Sequence, residues 1–345
     1  MDNPIFNNFS KKGDCLKREA FFDNARFFLI FFVVFGHVIQ PLTIESGSLA
    51  LLYQFIYFIH MPAIILISGF FAKGSHHMSY LWKLFKQLIV PYLIFQTIYT
   101  AYYFFTTDQG WSTPLFEPHW SLWFLVSLFS WHLLLIIFKK FPPKVGIIIA
   151  ILLGIAVGYI DQIGHQYSLS RTFVFFPFFL VGYWLSKDQL FKWKTKRYRA
   201  ISLVVVLALV VLMAILPGVP SGWLFGSSSY SSLGAPVWGG LFRGLVYLIN
   251  SLLVFSLFIW IPRRRFIFTR FGEKTLYVYL LHGIFIQFFR EHNIIQINGI
   301  VDFFIVVLIT LAIVLLLASQ PIFVSFQPII ELKTTGIKKW RERLD

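Results

Sequence analysis

Residues 25–37 read ARFFLIFFVVFGH, and this stretch decides the fold. Between Arg26 and His37 every residue is apolar, aromatic or glycine, and the apolar run continues to about residue 44. A helix needs roughly 20 such residues to cross a bilayer, so 27–44 reads as a first transmembrane span. Eleven positions at 1.5 Å rise carry His37 about 16 Å beyond Arg26, near the bilayer midplane, with Arg26 at the cytoplasmic boundary. Eleven residues also make close to three full turns, which puts the two side chains on one face. A basic stretch precedes this block, but its length, its aromatic content and the lack of a small-residue cleavage site predict a retained helix rather than a signal peptide.

The rest of the chain repeats the pattern. Of its 345 residues, 57% are hydrophobic, 20% aromatic and 13% charged, whereas a soluble domain carries roughly a quarter charged residues. Apolar blocks at 49–72, 87–106, 120–138, 145–160, 172–186, 200–216, 240–261, 275–290 and 300–323 follow the first. Segments in lipid must satisfy their backbone groups internally, and the alternating signal of a membrane β-barrel is absent. The expected fold is therefore all-α, a polytopic bundle of about ten transmembrane helices. The expected organisation is a cytoplasmic segment at 1–26, a membrane domain at 27–323 and a basic cytoplasmic tail at 324–345.

Charge orients this bundle. With the N-terminus inside, the inner segments 1–26, 73–86, 139–144, 187–199, 262–274 and 331–345 hold 27 of the 30 Lys and Arg residues. Such a bias is what fixes membrane orientation, and it predicts both termini in the cytoplasm. Only Arg171, Arg243 and Arg290 fall in the outer half. The formal charge of +15 thus belongs to inner loops and the lipid surface, and does not indicate nucleic acid. A single cysteine, Cys15, excludes an intrachain disulfide and a cysteine metal cluster. No His and carboxylate group has ligand spacing, so no metal is expected.

Ionisable groups inside a membrane cost about 2.5–3.5 kcal/mol each on insertion scales and call for an explanation. His37 and His60 (in YFIHMPAIILISGFF) flank the short outer loop 45–48 almost symmetrically, which predicts a common depth. A neutral imidazole can take a proton from a hydroxyl, as acyl transfer to an alcohol requires. The plain alternative is a histidine bonded to a neighbouring helix, and for His60, beside Met61-Pro62, the two stand about even. His119 and Trp123 (EPHWSLWFL) lie at the outer mouth as candidate acceptor contacts. His282 (TLYVYLLHG) lies about 10 Å inside the ninth span. Arg243 is explained equally by substrate contact and by a structural pairing. Lys83 and Lys86, with Arg26, form a cationic inner surface suited to a phosphate-bearing donor; topology signal and headgroup contact explain the two lysines as well.

In order and placement these features resemble the membrane acyltransferase-3 family, in particular its fucose 4-O-acetylase-like sugar acetyltransferases. The resemblance rests on Arg26 and His37 spaced as R-x10-H, FIHMPAIILISGFF around His60, basic residues before Pro91-Tyr92, HWSLWFL around Trp123, and FGEKTLYVYLLH ending at His282. It implies transfer of an acetyl group from cytoplasmic acetyl-CoA to a carbohydrate hydroxyl at the outer face of the cell membrane. His37 is then the catalytic histidine, Arg26 binds or positions the donor, and His60 orients His37 or the acceptor. The family often has R-x-x-R before the third helix where this chain has Lys83 and Lys86, which keep the charge but lose the bidentate phosphate fork. No appended extracellular domain is expected, so a separate extracytoplasmic transferase would complete the transfer if it takes two steps. The rival from another class is a transporter or flippase of a lipid-linked or acidic sugar, which the absence of internal repeats disfavours.

Overall fold

The computed structural model describes residues 19–44, 46–73, 78–106, 111, 117–163, 168–216 and 218–334, which form helices and their connecting turns without a strand. Ten helices overlap the apolar blocks: α1 Ala20–Ile39, α2 Gly47–Phe71, α3 Met78–Thr106, α4 Trp123–Phe138, α5 Pro143–Ala156, α6 Leu169–Trp184, α7 Lys196–Ile215, α8 Gly239–Trp260, α9 Thr275–Glu291 and α10 Ile300–Leu317. An eleventh, α11, covers Gln320–Ile330. Among the described residues six of these are long and apolar enough to cross a membrane, namely α1 with its one-turn extension to Thr43, α2, α3, α7, α8 and α10. The chain is an all-helical membrane protein.

Hydrophobic residues on the outside support this. Leu152 on α5, Val204 on α7, Leu248 on α8 and Leu308 on α10 are all largely exposed. In water such apolar surface on every flank would aggregate; in hydrocarbon it is the favoured contact. Polar side chains instead turn inward, among them Asn24, His60, Ser127, His282 and Thr310.

Three helix boundaries differ from the hydropathy reading, each for a local reason. Helix α1 begins at Ala20 because Phe21, Phe22, Asp23 and Asn24 are themselves buried. Asn24 donates to the carbonyls of Pro262 and Arg264, both at 2.9 Å, and accepts from Thr269 Oγ1 at 2.6 Å, fastening the helix start to the loop after α8. Helix α3 begins at Met78, so Lys83 and Lys86 lie on a helix rather than in a loop. Pro91 has no N–H to donate and crowds the carbonyl one turn earlier. The chain passes this point through a wider π turn at Phe85–Ile89, where Val90 N–H reaches back to Phe85 O. The tenth block, expected as one span to 323, breaks after Leu317. Pro321 restarts the chain as α11, which lies against α9: Tyr277 Oη donates to Glu331 Oε1 at 2.9 Å and Lys274 Nζ to Gln320 Oε1 at 2.8 Å. The tail placed at 324–345 therefore starts as packed helix, while residues 335–345 lie outside the described residues, as do Cys15 and the pair His76-His77.

Helix α1 occupies the centre, against α2, α9, α10 and the short turn of helix Thr269–Gly272. The tightest pairing joins α2 to α6. A Cβ on Gly69 would lie 2.0 Å from Phe179 O, and a Cβ on Gly182 would lie 1.9 Å from Leu66 O. Two backbones approach this closely only where both residues lack side chains, the small-residue packing that replaces the hydrophobic effect inside a membrane. Because the obstacle is backbone, Gly69→Ala or Gly182→Ala should force the helices apart. Each is expected to destabilise the protein by about 1–3 kcal/mol, the usual cost of overpacking, seen as a lower midpoint of thermal unfolding in detergent. Gly244→Ala on α8, where the added methyl meets nothing within 4 Å, should leave that midpoint unchanged or slightly raised.

Candidate active site

A stripe of α1 at Arg26, Ile30, Val33, His37 and Gln40 faces a stripe of α2 at Tyr57, His60, Met61, Ile64, Ile67 and Ser68, and between them lies a cavity of about 180 Å³. The segment 120–124 closes one side, Arg171 and Phe175 of α6 a second, and Thr275, Leu276 and Tyr279 of α9 a third. Leu224 and Phe225, from the loop between α7 and α8, complete it. Arg26 and Gln40 mark its ends, about 21 Å apart along α1 at 1.5 Å per residue.

His37 stands within this cavity. Its Nδ1 lies 3.0 Å from Tyr57 Oη, and its ring lies 4.2 Å from that of Trp120 and 5.7 Å from that of His282. Tyr57 also meets His60, with ring centroids 4.6 Å apart, so one phenol touches both histidines of the first two helices. Gly36 makes room for it: a methyl there would sit 3.1 Å from Tyr57 Cε2. The backbone of His37 is held as well. Arg290 Nη2 donates to His37 O at 3.0 Å and to Gln40 Oε1 at 2.8 Å, with its guanidinium 5.4 Å above the Trp120 ring.

The other two imidazoles have defined tautomers. His60 Nδ1 lies 2.8 Å from Ile56 O, and His282 Nδ1 lies 3.0 Å from Val278 O and 2.7 Å from Tyr279 O. A carbonyl only accepts, so in both rings Nδ1 carries the hydrogen and Nε2 is a bare acceptor. His282 Nε2 is buried without a hydrogen-bond partner among the described residues. An orphaned acceptor in an interior is costly, and this one lies beside His37. Trp120 between them has φ 39, a left-handed backbone that a non-glycine residue adopts only where its surroundings hold it.

Arg26 is not the surface cation expected at the cytoplasmic edge. It lies six residues, about 9 Å, inside α1, is 8% exposed, bonds Asp23 Oδ1 at 3.1 Å and stacks 4.7 Å over Phe71. Asp23 one turn earlier makes this burial tolerable, because a buried charge must be paired. Lys83 and Lys86 do not join it. Both are exposed, Lys86 lies 5.3 Å over Trp82, and neither lines the cavity.

Of the outer candidates, Trp123 lines the cavity and His119 does not; His119 Nε2 lies 2.9 Å from Thr100 Oγ1 instead. Arg243 does not line the cavity either; it donates to Trp223 O at 2.7 Å and lies 5.4 Å over the Trp223 ring. Sequence reasoning did not single out Tyr57, Gln40, Arg171 or Arg290. The signal for Gln40 was its position three residues after His37 on the same face. For Arg171 and Arg290 it was their place on the side of the membrane where cations are scarce.

The cavity combines a histidine bonded to a phenol, the bare Nε2 of His60, two cations and aromatic walls, with the unpartnered His282 Nε2 on a ring 5.7 Å from that of His37, which is equipment for proton transfer. Searches for relatives among curated proteins and among solved structures found no match. A family model described as an acyltransferase domain, that of acyltransferase 3, matches residues 19–319, from the start of α1 past the end of α10. The chain therefore belongs to the acyltransferase-3 family and is a membrane acyltransferase.

Proposed function

We propose that this protein is an O-acetyltransferase of the cell membrane that moves an acetyl group from cytoplasmic acetyl-CoA to a hydroxyl of a cell-envelope or exported carbohydrate, as the fucose 4-O-acetylase-like branch of the family does. The observation that carries the reading is the cavity along one face of α1, with His37 between the Arg26 end and the Gln40 end. A donor and an acceptor arriving from opposite ends meet at one imidazole.

In this reading all ten helices α1 to α10 cross the membrane, with both termini in the cytoplasm. The 27 of 30 basic residues on one side of such a bundle support it. The cavity end at Arg26 then faces the cytoplasm, and Lys83 and Lys86 near that surface attract the donor's phosphates without contacting the reacting atoms. The acceptor ring enters at Trp120 and Trp123, and a separate extracytoplasmic transferase takes the product onward where two steps are needed.

Chemically, the sugar oxygen attacks the thioester carbonyl carbon while its proton passes to His37 Nε2. The C–S bond breaks, and coenzyme A leaves as a thiolate that recovers the proton from His37. For this, His37 Nδ1–H donates to Tyr57 Oη, leaving Nε2 free to accept; the 3.0 Å contact permits that tautomer. Arg290 fixes the helix end that carries His37, and His60 holds Tyr57 from its other side.

Purified protein in lipid vesicles, given acetyl-CoA labelled in the acetyl group and envelope glycan, should place label in ester linkage on the glycan. His37→Ala should lower this by about 10²–10⁴-fold, the usual contribution of a general base, with unchanged thermal unfolding. Tyr57→Phe keeps the ring but removes the hydroxyl partner of Nδ1, and should lower kcat by about tenfold or more with little change in KM for acetyl-CoA. Glycan movement across the vesicle without ester formation would sink this reading in favour of the transporter.

The topology has its own test, because the chain carries only one cysteine. In a Cys15→Ser background, Ser232→Cys and Gln296→Cys should react with a membrane-impermeant maleimide on intact cells. Lys140→Cys and Arg264→Cys should react only after permeabilisation. Labelling of Lys140→Cys from outside overturns the ten-span order.

A further inference from the structure

We infer that Arg171 is the anchor for an acidic group, a carboxylate or phosphate borne by the carbohydrate acceptor, so that the enzyme acylates anionic glycans in preference to neutral ones. This rests on the carbohydrate acceptor proposed above and names its chemical class.

Arg171 lines the cavity, with its guanidinium 5.0 Å over the Trp123 ring. It makes no hydrogen bond or ion pair among the described residues, and its Nε is buried without a partner. Among the described residues the cavity wall contains no Asp or Glu. Each other arginine near the site has protein oxygens in hand: Arg26 bonds Asp23, and Arg290 bonds His37 O and Gln40 Oε1. A cation held inside a membrane bundle without a counter-charge is expensive, and such a group marks a place where a ligand brings the missing charge. Its planar fork matches the two oxygens of a carboxylate or phosphate. Arg171 also sits in the first turn of α6, where the helix dipole adds to the attraction for an anion.

Its depth assigns that anion to the acceptor. Gly69 meets Phe179, Gly182 meets Leu66, and Lys73 Nζ donates to Leu185 O. These contacts describe a parallel pair whose register sets Arg171 level with Phe58 of α2, between Tyr57 and His60. Arg171 thus stands at the depth of the reacting centre. A donor entering past Arg26 brings its thioester to His37, while its phosphates trail at the far end of the long pantetheine arm. The charge beside Arg171 then belongs to the molecule arriving from the other side. Trp120 and Trp123 offer flat faces for a sugar ring next to it.

Binding separates this inference from catalysis. Full-length protein in lipid nanodiscs would be titrated with glucuronate, glucose 6-phosphate, glucose and inorganic phosphate, following tryptophan fluorescence and thermal unfolding. Glucuronate or glucose 6-phosphate should bind, the stronger of the two identifying the acidic group, and glucose should be at least about tenfold weaker, the loss expected for one missing charge-assisted pair. Arg171→Met should raise the Kd for the sugar acid by about tenfold or more while leaving the unfolding midpoint of the free protein in place; Arg171→Lys should restore part of the affinity. His37→Ala should lose less affinity for the sugar acid than Arg171→Met does. If such binding persists but no acetyl ester ever forms, the acyltransfer reading of the acceptor fails and the anion site stands. Equal binding of glucose, equal binding of inorganic phosphate alone, or undiminished sugar-acid binding by Arg171→Met overturns the inference. So does an equal fall in kcat on acidic and neutral glycans with binding intact, which would make Arg171 a stabiliser of the reacting carbonyl instead.

Discussion

The wall of the cavity is set by one number, the pitch of α1. Residues 26, 30, 33, 37 and 40 are spaced by four, three, four and three, the spacing that keeps side chains on one face of a helix. All five line the cavity. Helix α2 answers with 57, 60, 61, 64, 67 and 68. The stripes extend over about four turns of α1 and three of α2, so the space between them is elongated along both helices. Inserting a single residue between Arg26 and His37 would rotate the two apart by about 100° and divide this wall.

What keeps the two stripes facing each other is contact elsewhere. Asn24 holds the beginning of α1 to the loop after α8, and Arg290 of α9 holds its end through His37 O and Gln40. Helix α2 is positioned from behind by its glycine contacts with α6. That contact has a second effect, since it brings Arg171 and Phe175 of α6 round to the cavity. The same close approach therefore supports both the scaffold and the site, and a loss of packing at Gly69 or Gly182 is felt at His37.

The face shared by Arg26 and His37 was legible in the sequence because it depends on spacing within one helix. So was the all-helical membrane character, which hydropathy alone decides. Contacts between helices were not legible. His282 comes within 5.7 Å of His37 through the register of α9 against α1, and no periodicity along either segment encodes that register. Burial of Arg26 was also hidden. It follows from Asp23 lying one turn before it and from a helix that starts earlier than the apolar run. The three arginines off the basic side carried more information than their number suggested. Arg171, Arg243 and Arg290 lie 5.0, 5.4 and 5.4 Å over Trp123, Trp223 and Trp120. Tryptophan faces attract cations most where water is excluded, which explains how arginine is tolerated there, but two of the three line or brace the site and one does not. Sequence marks the anomaly; only packing divides it into function and structure.

The apolar lining has a chemical consequence. A thioester beside an activated base is open to hydrolysis wherever water has access, and the acceptor hydroxyl competes with that water. The cavity walls include Ile30, Val33, Tyr57, Trp120 and Phe124, and the Nδ1 atoms of His37, His60 and His282 are already committed, to Tyr57 Oη, to Ile56 O, and to Val278 O and Tyr279 O. Excluding water also strengthens every electrostatic contact inside, including that of a guanidinium with an anion. Trp120 is central to this arrangement: it packs on His37, His282 and Arg290 together from a left-handed backbone. A ring so placed shields the imidazole, and in the proposed transfer it would give a sugar acceptor a surface from which to displace water. On the proposed reaction, the acceptor hydroxyl would then reach the base without bringing solvent along.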